Sequence, residues 1–176
     1  MSKGAIPTGN LSLDNAVIVA LGANDKGAHR DCEAGLEESL RLLERCGVRV
    51  VARSSWWSSL AWPNPEDPPF LNGVAIVQTQ LDAPALMGLL SDIENTMGRV
   101  RSHKNAPRTL DLDLTAYGRE VYETEQLILP HPRAADRMFV MGPLAEIAPN
   151  WVHPVLGLTA EALALSATIG ADAHPI

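Results

Sequence analysis

Cysteine is scarce: Cys32 and Cys46 are the only two. On a single helix they would stand roughly 21 Å apart, far beyond disulfide reach. That excludes a disulfide-stapled scaffold, and a reduced, cytoplasmic protein is expected. Long apolar runs are missing too. No stretch approaches the roughly 20 residues of a membrane span, and the first residues carry no signal-peptide core. Gly22 and Gly27 have phosphate-loop spacing, but Ala28 and His29 stand where Lys and Ser/Thr are required. No G-x-G-x-x-G, zinc-ligand spacing or G-x-S-x-G occurs, and no serine has an obvious neighbouring base. Dinucleotide binding, zinc and covalent catalysis therefore have no candidate. Repeats and low-complexity segments are absent as well.

Basic charge is also in short supply. Fourteen Lys and Arg face twenty-one Asp and Glu, for a net charge of −7. The shortage reverses in one place. From Gly98 to Arg108 there is no acid at all, while Arg99, Arg101, Lys104 and Arg108 supply four positive charges, with His103 beside them. Positive charge that is this local argues for a phosphate site and against a broad nucleic-acid surface.

The 176 residues fit one domain, here expected over 15–167, with tails at 1–14 and 168–176. Asn15 to Leu21 is a continuous apolar run with the length of a central strand, ended by the turn chemistry of Gly22 to Asp25. Asp31 can cap a helix to about Arg45, stopped by Gly47. Val48 to Trp57 reads as a second strand. Leu60 to Pro69 holds four prolines, cannot be regular structure, and is long enough to suspect a binding loop. Phe70 to Gln80 resumes as a strand, and Asp82 and Pro84 open a helix carrying Leu86, Leu89, Leu90, Ile93 and Met97 at helical spacing. A strand follows over Leu110–Tyr117, with Val121-Tyr122 pairing back as a ribbon. Short helices are expected over 133–148 and near Thr159–Ala167. The order β-α-β-β-α-β predicts an α+β, ferredoxin-like sandwich, its antiparallel sheet backed by helices on one face and free for a ligand on the other.

Within the fourth of these strands, Leu110, Leu112 and Leu114 alternate with Asp111 and Asp113. The period of two buries the leucines and sends both carboxylates to the other face, roughly 7 Å apart. Like charges that close call for a cation between them. Carboxylates suit Mg²⁺, while Arg and Lys suit phosphate, so the run reads as a metal–nucleotide site. A solvated loop and a half-exposed strand are the plain alternative. His131 and Arg137 could contact phosphate or be surface residues. Phe70 and Phe139 could be core aromatics. Asn72 is a poor strand former, which points to a hydrogen-bonding role for its amide.

Lys104-Asn105-Ala106-Pro107-Arg108-Thr109-Leu110-Asp111-Leu112-Asp113-Leu114 resembles the signature of the 6-hydroxymethyl-7,8-dihydropterin pyrophosphokinases of folate synthesis. Leu21-Gly22-Ala23-Asn24, Phe70-Leu71-Asn72, Ile93-Glu94, Gly98-Arg99-Val100-Arg101, Leu129-Pro130-His131-Pro132, Arg137-Met138-Phe139 and Pro143 to Pro149 fall in that family's order. The resemblance spans about 16–150. It implies transfer of pyrophosphate from ATP to the pterin hydroxymethyl group, with release of AMP. Asp111 and Asp113 would bind two Mg²⁺ ions. Arg99, Arg101, Lys104, Arg108, His131 and Arg137 would hold phosphates or nucleotide, Arg99 and Arg108 with a catalytic part, and Glu94 would lie nearby on the ATP side. Phe70 and Phe139 would stack on the pterin, while Asn72 and the backbone of Ser59, Leu60 and Ala61 would read its polar edge. The proline-rich and basic loops would close over ATP and exclude water.

Some positions depart from the pattern. Asn105 stands where familiar members carry Trp, and Ser59-Leu60-Ala61-Trp62 replaces Thr-Pro-Pro-Leu, with Trp62 placed to serve as an apolar lid. Gln126 and Ile128 replace an Arg and a Thr, and Pro132 an aromatic residue of some members. Two other classes compete with the enzyme: a catalytically silent ferredoxin-like module binding nucleotide or protein, and a Mg²⁺-dependent nuclease. Loss of an Asp or of Arg108 would mark the first, and neither is lost. The second would want a broader basic surface. The expected partners are therefore the two small-molecule substrates, with no nucleic acid and no membrane, and a monomer is the default.

Overall fold

The first strand, β1 (Val17–Ala23), has almost no polar side to turn toward water, and it is buried along nearly its whole length. The computed structural model describes residues 13–98 and 108–176. After β1 come helix α1 (Cys32–Arg45), strands β2 (Arg49–Arg53), β3 (Trp57–Ser59) and β4 (Phe70–Gln78), and helix α2 (Ala83–Thr96). Strand β5 (Asp111–Tyr117), a ribbon of β6 (Tyr122–Glu123) and β7 (Ile128–Leu129), helices α3 (Met138–Ile147) and α4 (Ala160–Ser166), and strand β8 (His174–Pro175) complete the order. The sheet runs β5-β1-β4-β3-β8, with β2 also on β4, and the pairings are antiparallel. This is the ferredoxin-like arrangement, its second strand broken into β2 and β3 around Ser54–Trp56.

The helix boundaries follow from capping chemistry. Asp31 adopts extended backbone and accepts from the Ala34 amide at 2.8 Å, and Asp82 accepts from that of Ala85 at 2.9 Å. Each satisfies one of the donors that a helix start leaves without a partner. Gly47, at φ +81°, takes the left-handed turn after α1 that a side chain would resist. Both cysteines are free thiols.

The expectation of one free sheet face is wrong. Val17, Val19, Leu21, Ala75, Val77 and the β5 leucines pack on α1 and α2. Ile18, Ala20, Val74, Ile76 and Ala116 pack on α3, α4 and Trp151. A strand that is apolar at successive positions, rather than alternately, must be covered on both sides. The result is a three-layer sandwich, and a ligand is left the end of the sheet where β1 finishes and β4 and β5 begin.

Two smaller expectations also change. The ribbon pairs Tyr122 with Leu129, rather than folding Val121-Tyr122 back on β5. The segment expected as a C-terminal tail is docked: β8 pairs with β3, and the Ile176 amide donates to the Trp56 carbonyl at 3.1 Å.

Candidate functional site

Cross-strand register builds one row from four strands: Trp57 on β3, Asn72 on β4, Gly22 on β1 and Asp111 on β5. Directly opposed residues share a face, so these four stand on the α3 side of the sheet. The next row places Val74, Ala20 and Asp113 together. The smallest possible neighbours, Gly22 and Ala20, therefore lie opposite the two carboxylates. Asp111 and Asp113 are partly exposed while Leu110, Leu112 and Leu114 are buried beneath them, as the alternation predicts.

Arg108 leads into this strand. Its guanidinium donates to Asp111 Oδ2 at 2.7 Å. Its backbone is clasped by Asn24: the Arg108 amide donates to Asn24 Oδ1 at 2.8 Å, and the Asn24 and Asp25 amides donate to the Arg108 carbonyl at 3.0 Å. Asn24 Nδ2 reaches on to the Pro68 carbonyl at 3.3 Å, in the proline-rich loop. One buried side chain thus joins the end of β1, the end of the basic loop and the suspected binding loop.

His131 and Arg137 come to the same carboxylates. The His131 amide donates to the Thr115 carbonyl on β5 at 2.8 Å. Burial, then Arg137 and Arg133, hold the His131 imidazole below its ordinary value, with Asp111 opposing. Burial also lowers Arg137, against the pull of Asp113 and Asp111, while Arg133 and Arg108 add to the lowering. Guanidinium groups stay charged, so Arg108, Arg133 and Arg137 crowd one another around two acids. An incoming polyanion would relieve that crowding.

The other expected ligands fall along the same end of the sheet. Asn72 is buried, and its Nδ2 donates to Ser59 Oγ at 2.9 Å. Phe70 pairs with Ser59 in the neighbouring register and is partly exposed. Phe139 is partly exposed in the first turn of α3, with the Arg137 guanidinium 5.6 Å from its ring centre. Ala61 is buried, Leu60 exposed, and Trp62 is 74% exposed, open for a lid contact. Glu94 is buried near the end of α2, in the layer across the sheet from the carboxylates. Arg99, Arg101, Lys104 and Asn105 lie outside the described residues.

Two contributors were missed from sequence. Arg133 is two residues beyond His131 and adds to its electrostatics; its signal was a third cation within the His131–Arg137 stretch. Asn24 has the sequence context of a strand-ending turn, and the cue to its buried hydrogen-bonding duty is a polar residue closing an apolar strand. Among the described residues no cluster of three or more His, Cys, Asp and Glu suggests an all-protein metal cage. Two carboxylates at the rim of an open sheet end, ringed by arginines, fit Mg²⁺ brought in with phosphates, since that ion keeps waters and takes few protein ligands.

Comparison with known proteins agrees with this geometry. Residues 18–149 match the family model described as 7,8-dihydro-6-hydroxymethylpterin-pyrophosphokinase (HPPK). The 2-amino-4-hydroxy-6-hydroxymethyldihydropteridine pyrophosphokinase of Synechocystis is 41% identical over 145 residues, covering 82% of this chain and 72% of that protein. Its Bacillus subtilis namesake is 39% identical over 136 residues, covering 77% and 79%. The Plasmodium falciparum HPPK-DHPS structure with pteroate superposes with a TM-score of 0.65 at 14% identity, over 86% of this chain and 42% of that one. That last likeness speaks to the fold.

Proposed function

The chain belongs to the 7,8-dihydro-6-hydroxymethylpterin-pyrophosphokinase family, and from that premise we infer that it transfers pyrophosphate from ATP to the hydroxymethyl group of 6-hydroxymethyl-7,8-dihydropterin, releasing AMP. The observation that carries the reading is the two successive rows in which Asp111 faces Gly22 and Asp113 faces Ala20, with Arg108 bonded to Asp111. The pterin hydroxyl oxygen attacks the β-phosphorus, the bond from that phosphorus to the α-phosphate oxygen breaks, and AMP departs with the oxygen. Chemistry of this kind needs positioning and charge stabilisation above all.

Asp111 and Asp113 would hold two Mg²⁺ ions, which supply neutralising charge to the triphosphate. Arg108, Arg137 and His131 take phosphate oxygens, and Arg99, Arg101 and Lys104 close over the nucleotide from the basic loop. Arg133 adds to the same field. Asp113 would accept the hydroxyl proton. Phe70 and Phe139 stack on the pterin, whose polar edge is read by Asn72 and by the backbone at Ser59–Ala61, with Trp62 above as an apolar cover. Glu94 serves the ATP side indirectly, by setting the end of α2 from which the basic loop departs. Every residue in this reading comes from one chain, so a monomer suffices, and two free thiols suit a cytoplasmic setting.

The test is AMP release from ATP, measured with and without hydroxymethyl-dihydropterin, for the natural protein and for Asp111→Ala and Asp113→Ala. Pterin-dependent AMP that disappears in both variants, with thermal unfolding unchanged, is the expected result. Release indifferent to pterin, or full turnover in either variant, would overturn it.

A further inference from the structure

The matched family region stops at residue 149, yet residues well beyond it touch both sides of the pterin site. The Ile169 carbonyl accepts from the Met138 amide at 2.8 Å, and the Ile169 amide donates to the Asp136 carbonyl at 2.9 Å. Arg137, at the start of α3, has no side-chain cap bond, so Ile169 supplies one of the partners that this helix end needs. Gly170 follows at φ +66°, against the Phe139 ring: a Cβ built there would stand 2.5 Å from Phe139 Cδ1. Two residues on, Asp172 Oδ2 accepts from the Leu60 amide at 2.6 Å. The Ala173 amide donates to the Gly170 carbonyl at 2.9 Å, closing a turn between the two contacts, and Ala173 is buried. His174 and Pro175 then pair with Ser58 and Trp57.

We propose that Ile169–Ile176 is a strap that sets the gap between the two walls of the pterin site, with Gly170 and Asp172 as its positioning residues. The proposal rests on the pterin reading of Phe139 and Ser59–Ala61. Two residues of chain span at most about 7 Å, so Gly170 under the ring and Asp172 on the Leu60 amide tie α3 to the loop after β3 at a fixed short distance. Strand β3 is only three residues long and would otherwise be a bare edge leading into a proline-rich loop. Pairing with β8 supplies the missing neighbour. The strap touches the ring and the edge-reading backbone, and the bonds named above run to the start of α3, to β3 and to the loop after it. It should therefore govern the pterin and leave ATP alone.

Asp172→Ala, Asp172→Asn and Gly170→Ala in the full chain test this. For Asp172→Ala, the KM for hydroxymethyl-dihydropterin is expected to rise about fivefold, the loss of one charge-assisted bond at an exposed position. KM for ATP, kcat and the unfolding temperature should hold, and Asp172→Asn, which keeps an acceptor oxygen, should recover part of the loss. Gly170→Ala should raise the same constant by displacing Phe139. An unchanged pterin KM in Asp172→Ala, or a parallel rise in both KM values, would refute the strap. Should the natural protein release no pterin-dependent AMP, the parent reading fails, and amide hydrogen exchange decides separately. Faster exchange across residues 57–62 in Asp172→Ala supports the strap, and unchanged exchange overturns it.

Discussion

Asn24 and Arg108 hold each other by reciprocal bonds: the Arg108 amide donates to the Asn24 side-chain oxygen at 2.8 Å, and the Asn24 amide donates to the Arg108 carbonyl at 3.0 Å. The pair lies 84 residues apart in sequence, so its formation fixes where the basic loop ends and where the Asp111 strand begins. Replacing Asn24 with Ala leaves the part-buried Arg108 amide without its acceptor. About 1 to 3 kcal/mol of stability should be lost, read as a shift in the urea midpoint. The Arg108 guanidinium then loses its aim, and kcat/KM should fall about 10- to 100-fold. Asn24→Asp keeps the acceptor and gives up only the bond to Pro68, so its losses should be smaller. Equal damage in both variants would deny Asn24 this role.

Glu146 offers a second structural test. Its carboxylate accepts from the Ser55 amide at 2.7 Å, the Ser55 hydroxyl at 2.6 Å and the Trp57 indole at 2.9 Å. It pins α3 to the break between β2 and β3, where the Trp57 ring lies over Gly142. Glu146→Gln has one oxygen where three donors need two. A loss of about 1 to 2 kcal/mol is expected, moderated by solvent at this exposed position. Thermal unfolding would show it. Since Trp57 shares a row with Asn72, a weaker pterin KM should accompany the change, and a KM that stays put would separate this latch from the site.

What could be read from sequence divides along physical lines. Asp31 and Asp82 fall at their helix starts because a cap is a local bargain between one side chain and amides three residues on. The Asp111–Asp113 alternation was legible for the same reason, since its period is set within the strand. What escaped depends on partners far away in the chain. Nothing near Val17–Ala23 names the helices on its two faces, although its unbroken apolarity already excluded a bare one. Asn24 resembled any turn residue until Arg108 arrived. Asp172 and β8 looked like a polar tail because two residues of strand carry no periodicity, and their pairing is decided by the open edge of β3.

Acid should destabilise the protein in a defined window. Burial, aided by neighbouring arginines, holds both His131 and His153 below their ordinary value. Geometry agrees: Nδ1 of His131 accepts from the Arg133 amide at 3.2 Å, and Nδ1 of His153 from the Val155 and Leu156 amides at 3.2 and 3.0 Å. A proton on either nitrogen would replace those bonds. The unfolded chain binds protons first as pH falls below about 6.5, so the stability is complete above that value and is lost as pH drops toward the lowered native values. Urea midpoints at pH 8 and pH 5.5 should differ accordingly. His153→Asn, whose side-chain oxygen can accept in the place of Nδ1, should flatten the difference. A midpoint independent of pH over this range would contradict the assignment.

Gly22 separates fold from function most sharply. It sits between Asn72 and Asp111 in the row proposed to meet the substrates, and a Cβ added there would be 3.4 Å from Asn72 Oδ1 and 3.9 Å from the Leu71 carbonyl. Those are ordinary contacts, and Gly22 keeps no left-handed backbone to defend. Alanine should therefore fold without loss. Valine is the informative change, because a β-branched residue suits a strand better than glycine does, and its stability should match or exceed that of the natural chain. Its two methyl groups, however, would enter the space between the Asn72 amide and the Asp111 carboxylate, the groups proposed to read pterin and to meet phosphate. A KM higher by about tenfold or more is expected for either substrate, against an unfolding temperature no lower than before. Full activity in a folded Gly22→Val protein would mean that the substrates do not meet over this row, and the placement of the site at this end of the sheet would have to be abandoned.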